Sequence, residues 1–347
     1  MPPIEPSLRA SLLTGASAIA MSVSASGAHA QTTPSGSTYV PPPTMTFWLE
    51  GALAYTGGGS YNVPSLPGLG APFTSLNPRS GPEIAFGFDY QFQNQPWHFV
   101  FDFRFGRSGT SNVNSASSSS SSTRTFFPPP SSNIVSQSVT TNNSTAARTT
   151  EREQHLVADF MVGRDLGMGS NAPELQFGLR IADLRASATE TATTTSNITR
   201  TFYTFTCFCY ATNHSTSTST TSATWNSQFF GIGPRVAVAG SLPIRGSWFF
   251  DYGAGIAGLI GDRSFNVNVW NGTGTIFFAN SSSNPFVFNS DAMLALSYHF
   301  TPHYKFSVGI REDFYANALT SYNINTGGLT NINRIYWGPF ARLTGTF

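Results

Sequence analysis

The sequence predicts an all-β protein: an antiparallel transmembrane β-barrel of about ten strands, with short periplasmic turns at one end and long extracellular loops at the other. Three observations predict it. In PWHFVFDFRFGR (Pro96 to Arg107), Trp97, Phe99, Phe101, Phe103 and Phe105 fall on every second position, with His98, Val100, Asp102, Arg104 and Gly106 between them. Successive side chains of a strand point to opposite faces, so this is strand periodicity. The same pattern returns along the chain, and the connections between the repeats alternate between short and long.

The elements follow in order. MTFWLEGALAY is a first strand, and EIAFGFDYQF (Glu83 to Phe92) a second, separated from the opening stretch by Gln93-Asn94-Gln95-Pro96. A connection that short makes the two a tight hairpin. QHLVADFMVGRDL and ELQFGLRIA flank the turn LGMGSNAP. FFGIGPRVAVAG and SWFFDYGAGIAG form a third hairpin around Leu242 to Gly246. DAMLALSYHF and YKFSVGIREDFY form a fourth around Thr301-Pro302-His303, and RIYWGPFARLTGTF closes the chain. The long connections run about Thr56 to Arg79, Ser108 to Thr150, Ser187 to Ser222, Gly261 to Pro285 and Asn317 to Asn333. SASSSSSST, TETATTTSNIT and STSTSTTSAT within them are low-complexity polar tracts, expected as loops at about 108–150 and 187–222.

Composition narrows the class. In 347 residues there are 17 acidic and 18 basic side chains, a balance that gives no reason to expect nucleic acid as a partner. No window holds eighteen consecutive apolar residues, so no helix spans a bilayer. Residues 1–30 read as a signal peptide: Arg9 is basic, a weakly apolar run follows, and Ala28-His29-Ala30 is a small-x-small cleavage site. Residues 31–44, with Pro41-Pro42-Pro43, are a periplasmic lead-in, and 45–347 form the barrel. Pro128-Pro129-Pro130 is an extended loop segment.

Cys207 and Cys209 lie in FTCFCYAT. Two positions apart on a strand, their Cβ vectors run parallel and suit a bridge poorly, which favours unbridged thiols unless the chain bends locally. A metal site with His214 would lack ligands. GAGIAG (Gly253 to Gly258) fits GxGxxG, but no helix follows, so small residues on a strand explain it better. No cofactor is expected.

In lipid every backbone polar group needs an internal partner, so a sheet there closes on itself. The Phe-rich face is then the lipid face, with Phe86, Phe88, Phe99, Phe101, Phe103 and Phe177 on it. A soluble sandwich would bury too many charges or expose too many Phe. Tyr90, Phe92, Trp97, Phe99, Trp248, Phe250, Tyr298, Phe300 and Tyr304 border the short turns, where an interfacial girdle belongs. The opposite face collects the candidate functional residues. Asp89, Asp102, Arg104, Asp159, Arg180, Arg235, Asp251, Asp291, Lys305, Arg311 and Arg342 are expected to line the lumen, together with Glu50, Glu83, His98, His155, His299 and Asp313. Asp102 and Arg104 are expected at mid-depth. On alternation alone, Phe101→Arg is costly and Val100→Arg mild.

The terminal aromatic Phe347 resembles the assembly signal of bacterial outer-membrane barrels. FFGIGPRVAVAGSLPI (Phe229 to Ile244) and QFGLRIADLRAS (Gln176 to Ser187), with WLEGALAYTGG and FARLTGTF near the two ends, resemble the Legionella major outer membrane protein-like, pore-forming family. The resemblance implies an outer-membrane pore with no catalytic residues. The expectation is passive passage of ions or small hydrophilic solutes through a narrow charge-lined lumen. Expected partners are outer-membrane lipid and lipopolysaccharide, the assembly machinery through Phe347, and the solutes themselves. Ten strands are also few enough for side chains to fill the interior. The alternative is therefore a closed structural or adhesive barrel acting through its Ser/Thr-rich loops. An enzyme would need a set at the rim, where Asp183, Asp262, Glu312, Asp313 and His214 are the candidates and no nucleophile–base spacing stands out.

Overall fold

In the computed structural model, which describes residues 44–59, 61–63, 74–76, 80–93, 95–126, 134–166, 173–204, 207–323 and 328–347, every alternating stretch is a strand. The strands are β1 (Thr44–Gly58), β2 (Tyr61–Val63), β3 (Thr74–Leu76), β4 (Gly81–Gln91), β5 (Trp97–Arg107), β6 (Ser111–Phe126), β7 (Ile134–Asp165), β8 (Glu174–Thr204), β9 (Cys209–Arg245), β10 (Trp248–Trp270), β11 (Thr275–Ser283), β12 (Phe286–His299), β13 (Tyr304–Asn323) and β14 (Gly328–Thr346). Residues 1–30, expected as a signal peptide, and all but Thr44 of the lead-in lie outside the described residues, as do Pro128 to Pro130.

All pairings are antiparallel, and they form a closed circuit. β1 pairs β4, β4 pairs β5, β5 pairs β7, β7 pairs β8, and β8 pairs β9. β9 pairs β10, β10 pairs β12, β12 pairs β13, β13 pairs β14, and β14 returns to β1. The seam is fastened at its end by Met45 N–H to Phe347 O at 3.0 Å and Phe347 N–H to Met45 O at 2.9 Å. Each strand of the ring therefore has a partner on both sides, which removes the edges that an open sheet would leave. β2 and β3 form a separate two-stranded pair.

The alternation sets the two faces. Outward residues form an exposed apolar band that includes Leu49, Ile84, Phe86, Phe160, Phe177, Leu179, Ile232, Ile256, Leu294, Val308 and Leu343. Phe88, Phe99, Phe101 and Phe103 share that face and are half-covered because they stack on one another. Phe86 lies 5.0 Å from Phe103, Phe88 5.7 Å from Phe101, and Phe101 5.1 Å from Phe160. At the short-turn end Trp248 meets Tyr298 at 4.9 Å, and Tyr304 meets Phe347 at 6.0 Å. Gly253 to Gly258 lies within β10, with no helix after it.

The two Ser/Thr tracts correct the expectation of loops. β6 and the outer half of β7 pair from Ser111 opposite Glu151 to Phe126 opposite Ser136. β8 and β9 pair without interruption out to Thr204 opposite Cys209. The ring strands thus continue past the apolar band as a sheet of β6, β7, β8 and β9, referred to below as the arm. Thr is β-branched and suits a pleated surface, and neighbouring strands satisfy the backbone, so an apolar face is not needed for pairing.

Candidate functional site

The interior is built in layers. Near the short-turn end, β4, β5, β7 and β8 bring Asp89, His98, Asp165 and Glu174 together. His98 Nδ1 lies 3.2 Å from Asp89 and 3.7 Å from Glu174, and its Nε2 lies 3.2 Å from Asp165. One ligand atom from each of Asp89, His98 and Glu174 falls within 4.8 Å of the others, a spacing that could hold a cation. Across the ring Lys305 Nζ donates to Asp251 at 2.9 Å, and Ser241 and Ser297 donate to the same carboxylate at 2.6 and 2.5 Å.

The middle layer crosses the lumen. Arg180 donates two bonds to Asp159 (2.7 and 2.6 Å), one to Asp291 at 2.8 Å and one to Asn289 at 2.5 Å. Arg235 meets the other oxygen of Asp291 at 2.6 Å. Gly255 makes room for that pair, since a Cβ there would sit 2.7 Å from Arg235. Arg104 bridges to Asp313 at 2.5 Å and to Asp102 at 3.2 Å, and Trp48 donates its indole N–H to Asp102 at 3.1 Å. Arg311 joins Glu50 at 2.6 Å and also Glu83, whose other oxygen meets His155 at 2.7 Å. Arg342 reaches Glu50 at 2.7 Å. Guanidinium forks meeting carboxylates on two oxygens are the strong form of this contact. Arg180 is fully buried, and Arg104, Asp159 and Glu50 nearly so.

The outer layer is largely apolar. Leu184, Trp225, Phe229, Leu259, Phe265, Tyr315, Leu319, Ile332 and Tyr336 form one buried cluster inside the ring. It is closed from the far wall by β13. Asn317 adopts a positive φ of 53°, at an irregularity in the β13–β14 register between Tyr315 and Leu319. Ala318, Leu319, Thr320 and Ser321 beyond it are all buried, and Thr320 N–H donates to Ser227 Oγ of β9 at 2.8 Å. Arg334 meets Glu153 at 2.7 Å below this cap.

All eleven residues expected to line the lumen project into this interior. The structure adds what alternation does not give: most of them join one network of ion pairs across the lumen, and the outer half holds a hydrophobic cluster. Phe229, Trp225 and Leu184 were legible as inward by extending the period-2 pattern past Arg235 and Arg180, but the polar outward residues there (Asn226, Gln228, Arg185) broke the apolar signal. The rim candidates do not converge. Asp183 pairs with Arg185 on the outer wall at 2.6 Å, Asp262 is exposed on β10, Glu312 alternates outward, Asp313 is buried against Arg104, and His214 on the arm meets Thr199 at 3.1 Å.

Cys207 and Cys209 are bridged, contrary to the expectation of free thiols. Cys207 lies in the β8–β9 turn and Cys209 is the first residue of β9, Phe208 between them has a φ of 50°, and their Cα atoms stand 5.1 Å apart. That bend supplies the geometry a strand would withhold.

No family model matches the chain, and no curated protein matches it. The likeness to the Legionella major outer membrane protein-like family therefore remains one of short motifs. Among solved structures, the outer membrane protease OmpT of Escherichia coli is 12% identical with a TM-score of 0.43, covering 90% of this chain and 99% of that one. Neisserial surface protein A is 10% identical with a TM-score of 0.29, covering 87% and 97%. The outer membrane protein AlkL is 9% identical with a TM-score of 0.26, covering 92% and 97%. Identities and scores this low carry no argument, and the chemistry rests on the chain itself.

Proposed function

We propose that this chain is an outer-membrane barrel with a sealed lumen, and that its working surface is the arm held outside the membrane. The observation that carries the reading is Arg180: a guanidinium on the lumen face with no exposure, bonded to Asp159, Asp291 and Asn289 from three other positions of the wall. A residue lining a water-filled passage keeps access to water, as charge rings that tune selectivity do. An exposed apolar band on the outward face suits contact with lipid. Its aromatic ends, with Phe347 closing the seam, suit insertion by the assembly machinery into lipid and lipopolysaccharide. The narrow passage expected from the sequence is the second reading. It would require the buried pairs to separate and the β13 cap to withdraw.

Two assays test the proposal together. Liposomes carrying the refolded chain should swell in small sugars no faster than empty liposomes. Cells whose arm is shortened by joining Gly109 to Glu151 and Ala188 to Ser222 should lose surface attachment and retain solute uptake. Rapid swelling, or attachment unchanged by the shortened arm, would overturn it.

A further inference from the structure

The distal end of the arm differs from its shaft. Between Ser108 and Thr150, and between Thr191 and Phe250, there is no Asp or Glu, while Arg124, Arg148 and Arg200 are present. All three arginines are exposed. The shaft side chains are mostly Ser, Thr, Asn and Ala, with Arg148, Ile198 and His214 among them, yet the tip is aromatic. Phe126, Tyr203 and Tyr210 fall in one row of the sheet, because Phe126 is opposite Ser136, Ser136 opposite Tyr203, and Tyr203 opposite Tyr210. Residues opposite one another in an antiparallel pair share a face. Phe126, Phe208 and Tyr210 are 66%, 69% and 70% exposed. The Tyr203 and Tyr210 rings lie 5.0 Å apart, and the Arg124 guanidinium sits 4.8 Å over Phe126. The Cys207–Cys209 bridge braces the turn that carries Phe208.

Large apolar rings left in water on a polar shaft mark a contact surface. Aromatic rings beside cations, with no carboxylate near, fit the boundary between headgroups and acyl chains of an anionic bilayer. A hydroxyl-rich ligand such as a glycan would instead call for side-chain carboxylates, which the tip lacks. The tip also stands away from the barrel's own membrane: about 20 residues of extended strand separate it from the apolar band, roughly 65 Å at ~3.3 Å per residue.

We infer that the tip of the arm docks end-on against an anionic phospholipid bilayer opposite the one that holds the barrel, with Phe126, Tyr203, Phe208 and Tyr210 entering the interface, and with Arg124 on the face of the aromatic row and Arg200 on the opposite face meeting phosphates. This deepens the reading of the arm as the working surface and rests on it.

The test uses the full mature chain held in nanodiscs of neutral phosphatidylcholine, so that the barrel is already seated. These are floated with vesicles of phosphatidylcholine alone or with 30% phosphatidylglycerol. Binding to the anionic vesicles should be at least about tenfold stronger than to the neutral ones, and should weaken in high salt. Phe126→Ser with Tyr210→Ser should reduce it about tenfold or more, and Arg124→Gln with Arg200→Gln should remove the preference for anionic lipid. Heat-modifiable migration on gels checks that each variant keeps its barrel. Absence of flotation with anionic vesicles, or flotation that the tip substitutions leave unchanged, would overturn the inference. If shortening the arm abolishes attachment while the vesicles stay unbound, the arm reading stands and the lipid assignment falls. If shortening the arm leaves attachment intact, the arm reading itself falls.

Discussion

Arg104 and Asp313 lie 209 residues apart in sequence and 2.5 Å apart in space, although β4, β1 and β14 stand between their strands around the ring. Along the wall that path is four strand spacings, about 19 Å. The contact is direct because the two side chains reach across the lumen. The same holds for Arg180 on β8 and Asp291 on β12, separated by β9 and β10. These pairs tie opposite walls together across the lumen.

Removing one partner should therefore be costly. Arg104→Met removes the nearest cation of Asp313, leaving it only the more distant Arg180 at 3.7 Å and Arg311 at 3.9 Å, and takes the guanidinium from Asp102 as well; the expected loss is about 3 kcal/mol, as for other broken buried pairs. Arg185→Ala, which breaks an exposed pair with Asp183, should cost about 0–1 kcal/mol. Urea titrations of folding into lipid vesicles compare the two. Equal losses would place the lumen pairs in bulk water.

The outward face is tested at Phe101. Phe101→Arg puts a charge in the apolar band and should cost about 2–4 kcal/mol, while Phe101→Leu should be nearly neutral. The neighbouring substitution Val100→Arg, mild on alternation alone, is not mild here. Val100 faces inward but is buried against Met161 and Ala237, so an arginine overpacks that site by about 1–3 kcal/mol even with Asp89 directly opposite it. The same titration reads all three.

Two carboxyls beyond the apolar band give the arm a pH dependence. Burial pushes Glu190 up to about 7 from 4.5. Burial and the neighbouring Glu153 push Glu151 up to about 8. In the unfolded chain both ionise near 4.5, so the folded arm loses stability as pH rises from there through 7 and 8, and neither group contributes below 4.5. Glu190→Gln and Glu151→Gln should raise resistance to unfolding at pH 9 and leave it unchanged at pH 4. An equal gain at both pH values would contradict the assignment.

The bridge at the arm tip has a separable signature. Without reductant the native protein should react with no maleimide, and after reduction with two equivalents. Cys207→Ser with Cys209→Ser should leave the urea midpoint of the barrel unchanged, because the bridge spans only two positions where β8 turns into β9, at the far end of the arm. A lowered midpoint would mean that the tip contributes to barrel stability.

The ten ring strands were legible because one face of each is apolar and the other is not, so a period of two survives in the sequence. The faces of Asp102, Arg104, Asp159 and Arg180 followed from the same rule. Their partners did not. Alternation gives the side of the wall and says nothing of which residues share a depth, and that depends on the register between strands far apart in the chain. The Ser/Thr tracts hid their strands because both faces are polar, which leaves no periodic apolar signal at all. The β13 cap was hidden for a third reason: it turns on a single left-handed residue, Asn317, in an otherwise unremarkable polar stretch.

The sealed lumen is tested most directly by single-channel recording of the refolded chain in a planar bilayer. The expected result is an inserted, heat-modifiable barrel that passes no discrete current steps. Steady unitary steps from the unmodified chain, with an ion preference that shifts on Asp102→Asn or Arg104→Gln, would contradict it and restore the charge-lined pore.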